Sequence, residues 1–63
     1  MCQMSIILEK NGEEEVVLAN AAKLEVLAEG IKVSALFEEP KLLAGAVMKE
    51  IDFLDGKVRL KQL

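Results

Sequence analysis

Lys41–Leu54 reads KLLAGAVMKEIDFL, and whether it is helix or strand decides the fold. Helix has a case: Leu42, Leu43, Ala46 and Val47 fall at helical spacing, and Ala, Leu, Met, Lys and Glu are all good helix formers. Strand has the better one. Met48, Glu50 and Asp52 alternate with Val47, Lys49, Ile51 and Phe53, and the stretch runs straight into Asp55-Gly56, a hairpin dipeptide. The segment is long for a strand, and Gly45, set between Ala44 and Ala46, is a natural place for it to bend. Pattern outranks propensity here, so the expectation is one bent strand.

Working outward, Gly-containing dipeptides punctuate the chain. Asn11-Gly12 separates SIILEK from EEEVVLA, Glu29-Gly30 separates KLEVLA from IKVSALF, and Asp55-Gly56 separates KEIDFL from KVRLKQL. Asn-Gly and Asp-Gly suit type I′ hairpins, in which both central residues need positive φ. Glu-Gly is a weaker version, with Gly carrying the difficult angle. This spacing predicts strands at Gln3–Lys10, Glu13–Leu18, Lys23–Ala28, Ile31–Phe37, Lys41–Leu54 and Lys57–Lys61. In the third, Leu24, Val26 and Ala28 oppose Lys23, Glu25 and Leu27. In the last, Val58, Leu60 and Gln62 oppose Lys57, Arg59 and Lys61, as in a half-buried strand with one wet cationic face. Ala19–Ala22 has poor strand propensity and reads as a helical turn or a wide loop. Pro40 cannot donate to a ladder and belongs in a turn. A short, bent, strongly twisted sheet closes into a small barrel. The expected fold is therefore all-β, with six antiparallel strands in a single domain over residues 1–63.

Size and composition narrow the function. A chain of 63 residues, 52% of them apolar, has too little interior for its hydrophobic side chains. With one cysteine there is no disulfide, and with no histidine there is no zinc spacing, so oligomerisation is the remaining means of stabilisation. A homodimer is the expectation. The absence of histidine also removes Ser–His and Cys–His pairs, and so small a body has little room for a dry pocket in which carboxylates could do acid–base work. An enzyme is not expected. The net charge of −3 disfavours RNA as a partner, because affinity for phosphate comes from cations. No apolar run is long enough to cross a membrane, Met1–Ile6 has no basic leader character, and a lone thiol suits a reducing cytoplasm.

Cys2 is the residue with chemistry. A lone cysteine is commonly a small buried hydrophobe, but this one adjoins the amino terminus. If Met1 is removed, a free amine and a thiolate close a five-membered chelate. If Met1 stays, its amine, the Cys2 amide nitrogen and the thiolate form fused rings. Nitrogen with thiolate in a flat arrangement suits Ni(II) or Cu(II), and two termini across a dimer axis would supply four donors. Gln3 and Met4 are neighbours, and Met4 alternates with Ile6 and Leu8 as a core residue would. The acidic groups Glu13-Glu14-Glu15, Glu38-Glu39 and Glu50/Asp52/Asp55 lack calcium-loop spacing and read as solvated faces. Lys57, Arg59 and Lys61 form a basic stripe without interleaved aromatics, a weak nucleic-acid signal that the wet face of an edge strand explains.

The Met1-Cys2 opening, the Asn-Gly hairpin, Lys23-Leu24-Glu25-Val26, Leu36-Phe37-Glu38-Glu39 and Lys49-Glu50-Ile51-Asp52-Phe53-Leu54 together resemble the CooT-type small nickel-binding proteins of anaerobic bacteria and archaea. The same family has been catalogued as predicted RNA-binding proteins. The resemblance implies a homodimer of small SH3- or Sm-like β-barrels. It also implies nickel binding through Cys2 with its backbone nitrogen, and delivery of nickel to a client such as carbon monoxide dehydrogenase. The expected function is thus a cytoplasmic Ni(II) chaperone or store, with zinc or copper as competitors in vitro. Two rivals stand beside it. One is a small RNA-binding module using Lys57, Arg59 and Lys61. The other is a structural interaction domain without metal.

Overall fold

A computed structural model describes Met4–Leu63. It is all-β, with β1 Met4–Lys10, β2 Glu13–Leu27, β3 Gly30–Ala35, β4 Lys41–Ala44, β5 Ala46–Asp52 and β6 Lys57–Gln62. The strands form one six-stranded sheet in the order β4-β3-β2-β1-β6-β5. Among the described residues no helix is long and apolar enough to cross a membrane.

The number of strands agrees with the expectation, but they are divided differently. Ala19–Ala22 is neither loop nor helical turn. It lies inside the 15-residue β2, which pairs with β1 from Glu13 to Ala21 and with β3 from Ala21 to Leu27. Ala21 is the hand-over residue, paired on both sides, and a register shift follows between Ala21 and Lys23. Small side chains let a strand bend sharply where it changes partner, which offsets alanine's poor strand propensity.

Lys41–Leu54 is indeed extended and bends at Gly45, whose φ is +77°. Its halves are separate strands. β4 pairs with β3 at one edge of the sheet, and β5 pairs with β6 at the other. The chain therefore crosses from edge to edge without reversing direction, and this overturns the all-antiparallel expectation. β6 runs parallel to β1, with Ile6 beside Val58 and Leu8 beside Leu60. The sheet is mixed, and it is not closed into a barrel: β4 and β5 meet at the Gly45 corner but do not pair.

The connections also refine the expectation. Asn11 and Gly12 have φ of +53° and +81°, as a type I′ hairpin demands. Asp55-Gly56 is not a two-residue turn. It closes a longer Phe53–Gly56 connection in which the Asp52 carboxylate accepts from the backbone N–H of Leu54 (3.1 Å) and of Asp55 (2.9 Å). Gly30 is not at the tip of its hairpin. It opens β3, where a Cβ would lie 2.3 Å from the carbonyl oxygen of Leu43. The fourth predicted strand ends early, at Ala35, because Glu38 N–H donates to the Ala35 carbonyl (3.4 Å) and turns the chain at Leu36-Phe37.

The core is one cluster of Ile6, Ile31, Val33, Ala46, Val58 and Leu60, flanked by Met4, Leu8, Leu18, Ala21, Leu24 and Leu43. Much apolar surface stays outside it. Val26, whose alternation suggests burial, is exposed, as are Phe37, Phe53, Leu54 and Leu63.

Candidate metal site at the amino terminus

The leading site residue, Cys2, lies outside the described residues, together with Met1 and Gln3. What the structure describes is the platform they extend from. Met4 is half-buried, pairs with Ala21 and packs against the core, as its alternation predicts, so its thioether serves as hydrocarbon. Ser5 ties the strand end down on two sides. Its N–H donates to the Gly56 carbonyl (2.8 Å) and its hydroxyl to the Ala19 carbonyl (3.4 Å). A shallow apolar hollow lined by Met4, Ile6, Ala21, Lys23, Leu24 and Val58 opens beside this end. The segment carrying Cys2 thus starts from a strand held by β2 on one side and by the β5–β6 turn on the other.

Among the described residues no group of three or more His, Cys, Asp or Glu side chains could hold a metal ion. The acidic groups are otherwise employed or simply exposed. Glu9 accepts from Lys49, and this hydrogen bond holds its carboxyl below the usual carboxylate range while raising the Lys49 ammonium above its own. Glu50 and Glu14 share the Arg59 guanidinium, at 2.8 and 3.3 Å. Asp52 caps its turn, while Glu13, Glu15, Glu38 and Glu39 face solvent.

The basic stripe has a different role from the one its spacing suggests. β6 is not an edge strand, since β5 covers its far side. Arg59 lies across the sheet face that carries Ile7, which is buried, and its charge is taken up by carboxylates from β2 and β5. The hydrogen bond that Arg59 donates to Glu50 raises the guanidinium pKa further. Lys61 faces Glu9 in register on β1. Arg59, the centre of the stripe, is therefore not free, whereas among the described residues neither Lys57 nor Lys61 forms an ion pair within the chain. This Glu14–Arg59–Glu50 bridge was not legible in the sequence, because its members come from three strands whose adjacency is purely tertiary.

An apolar groove of about 330 Å³ lies at the Gly45 corner between the β2–β3 hairpin, β5 and Leu63. Its only charged lining residue is Glu29, and its one sulfur is the Met48 thioether, too poor a set to hold a transition ion.

Comparison with known proteins agrees with this architecture. No curated protein matches the chain. The crystal structure of a candidate CooT from Carboxydothermus hydrogenoformans superposes with a TM-score of 0.83 at 24% identity, covering 98% of each chain. That likeness establishes a shared fold. The family described as CO dehydrogenase accessory protein CooT matches residues 1–61. Its members assist an enzyme and are not enzymes themselves, and by that match this chain belongs to the CooT family of CO dehydrogenase accessory proteins.

Proposed function

We propose that the chain is a cytoplasmic homodimer that binds Ni(II) as cargo through paired Cys2 thiolates and amino-terminal nitrogens, and delivers it during maturation of CO dehydrogenase. The reading is carried by one observation: the only thiol of a chain without histidine adjoins the terminal amine, in a member of a CO dehydrogenase accessory family. The donor chemistry fits. Thiolate and deprotonated nitrogen favour a flat d⁸ or d⁹ ion over Mg(II) or Ca(II), which want oxygen. One terminus offers two or three donors, and two termini complete a four-donor plane.

Ser5, bonded to Gly56 and Ala19, ties the first described residues of β1 into the sheet three residues after Cys2 in sequence. Substituting Cys2→Ser and titrating nickel tests the proposal. Affinity should fall by orders of magnitude, and undiminished binding would end it.

A further inference from the structure

We propose that the Asp52–Lys57 turn is the surface on which a second copy of this chain docks, with Phe53 and Leu54 at the centre of the contact. The inference rests on the dimeric reading above and gives that dimer its contact surface.

The turn is built as a rigid tip. The Asp52 carboxylate, half-buried, accepts two backbone N–H groups of the turn, and the Gly56 carbonyl accepts from Ser5. Such bracing of a surface loop preorganises whatever it displays. It displays hydrocarbon: Phe53 is 81% and Leu54 99% exposed, and Ile51 just before them is 43% exposed. Within one subunit Phe53 and Leu54 bury little of their apolar surface.

The occupant follows from size, area and charge. A domain of 63 residues buries too little surface to be more than marginally stable alone, and a second copy is the partner always present in equal amount. The three apolar residues offer roughly 400 Å² per copy, about half the ~800 Å² per partner of a standard interface. They suffice as its dry centre, with polar ground as the rim. A two-fold contact must be self-complementary, each patch meeting its own copy. Asp55 and Lys57 flank the apolar tip with opposite charges, and among the described residues neither forms an ion pair within the subunit. Across a two-fold axis the Asp55 of one copy would face the Lys57 of the other.

The test is the dimer dissociation constant of the whole chain, by sedimentation and native mass spectrometry. Phe53→Ala should raise it about 30-fold or more, as loss of a central anchor does, with an unchanged circular dichroism spectrum because Phe53 is already exposed within the subunit. Asp55→Lys should weaken the dimer, and adding Lys57→Asp should restore it. A wild-type chain that stays monomeric, or a Phe53→Ala dimer as tight as wild type, would overturn the proposal. Cys2→Ser separates the two readings. A Cys2→Ser dimer of normal affinity that has lost nickel supports the docking surface. One that keeps nickel removes the cargo site and leaves the docking surface standing.

Discussion

Gly30→Ala should cost the fold a large part of its stability. The added Cβ would lie 2.3 Å from the Leu43 oxygen, 2.9 Å from the Ala44 Cα and 3.0 Å from the Gly45 nitrogen. All three are backbone atoms of the strand and corner that seat β3, so no rotamer change relieves the contact. The backbone at Gly30, with φ of +154°, is one that alanine adopts at a cost of about 1–3 kcal/mol. Moving the corner away would break the bond from Gly45 N–H to the Glu29 carbonyl (2.9 Å) and strain that from Gln62 to the Ala44 carbonyl (2.8 Å). Each such bond is worth about 0.5–1.5 kcal/mol. The sum is about 2–6 kcal/mol, set against a total of about 3–9 kcal/mol for a domain of this length. The chain has no Trp or Tyr, so urea and thermal unfolding are followed by far-UV circular dichroism, at one protein concentration because dimerisation shifts the midpoint. The midpoint should fall by about 15–30 °C. Gly12→Ala is the control. Its φ is +81° but nothing lies within 4 Å of the new Cβ, so only about 1–2 kcal/mol of conformational cost applies. A Gly30→Ala loss below about 1 kcal/mol, or one no larger than that of Gly12→Ala, would refute the reasoning that close backbone approach requires glycine here.

Phe37 is fully exposed with φ of +64°, at the third position of a turn closed by Glu38 N–H on the Ala35 carbonyl, so Phe37→Gly should raise stability by about 1 kcal/mol in the same unfolding assay. A loss would show that Phe37 packs against something in solution. Lys49 holds the Glu9 carboxyl below its ordinary 4.5, so the stability from this pair is complete above that value and is lost as pH falls through the lower folded value. Glu9→Gln should therefore flatten the acid limb of the stability–pH curve below about pH 4.5, and about 1 M salt should shrink the difference. Acid limbs of equal slope would count against the pairing.

The legible part of the fold lies in local signals. The alternation in Lys57–Lys61 predicts Val58 and Leu60 inside, and both are buried. Asn11-Gly12 makes the predicted hairpin because only a few residue types accept two successive positive φ values. Gly45 marks the bend in the strand-like Lys41–Leu54 for the same kind of reason. Ala19–Ala22 misled because propensity describes an isolated segment, whereas β2 is held extended there by β1 and β3. Val26 misled because alternation says which side a residue faces and not whether anything covers that side.

The candidate site divides in the same way. Cys2 stands out in the sequence because it is the single thiol and directly follows Met1. The role of Arg59 does not, since Glu14 and Glu50 reach it only once the strands are ordered.

From the residues alone came the all-β class, the bend at Gly45, the family resemblance and the single thiol, all of which depend on neighbours along the chain. Only the tertiary structure decided the strand order, the parallel β1–β6 pair, the open seam and the bare Phe53-Leu54 tip. These depend on which distant segments meet. Here that is settled when one bent strand feeds both edges of the sheet without turning back, a long-range packing outcome that no short window of sequence encodes.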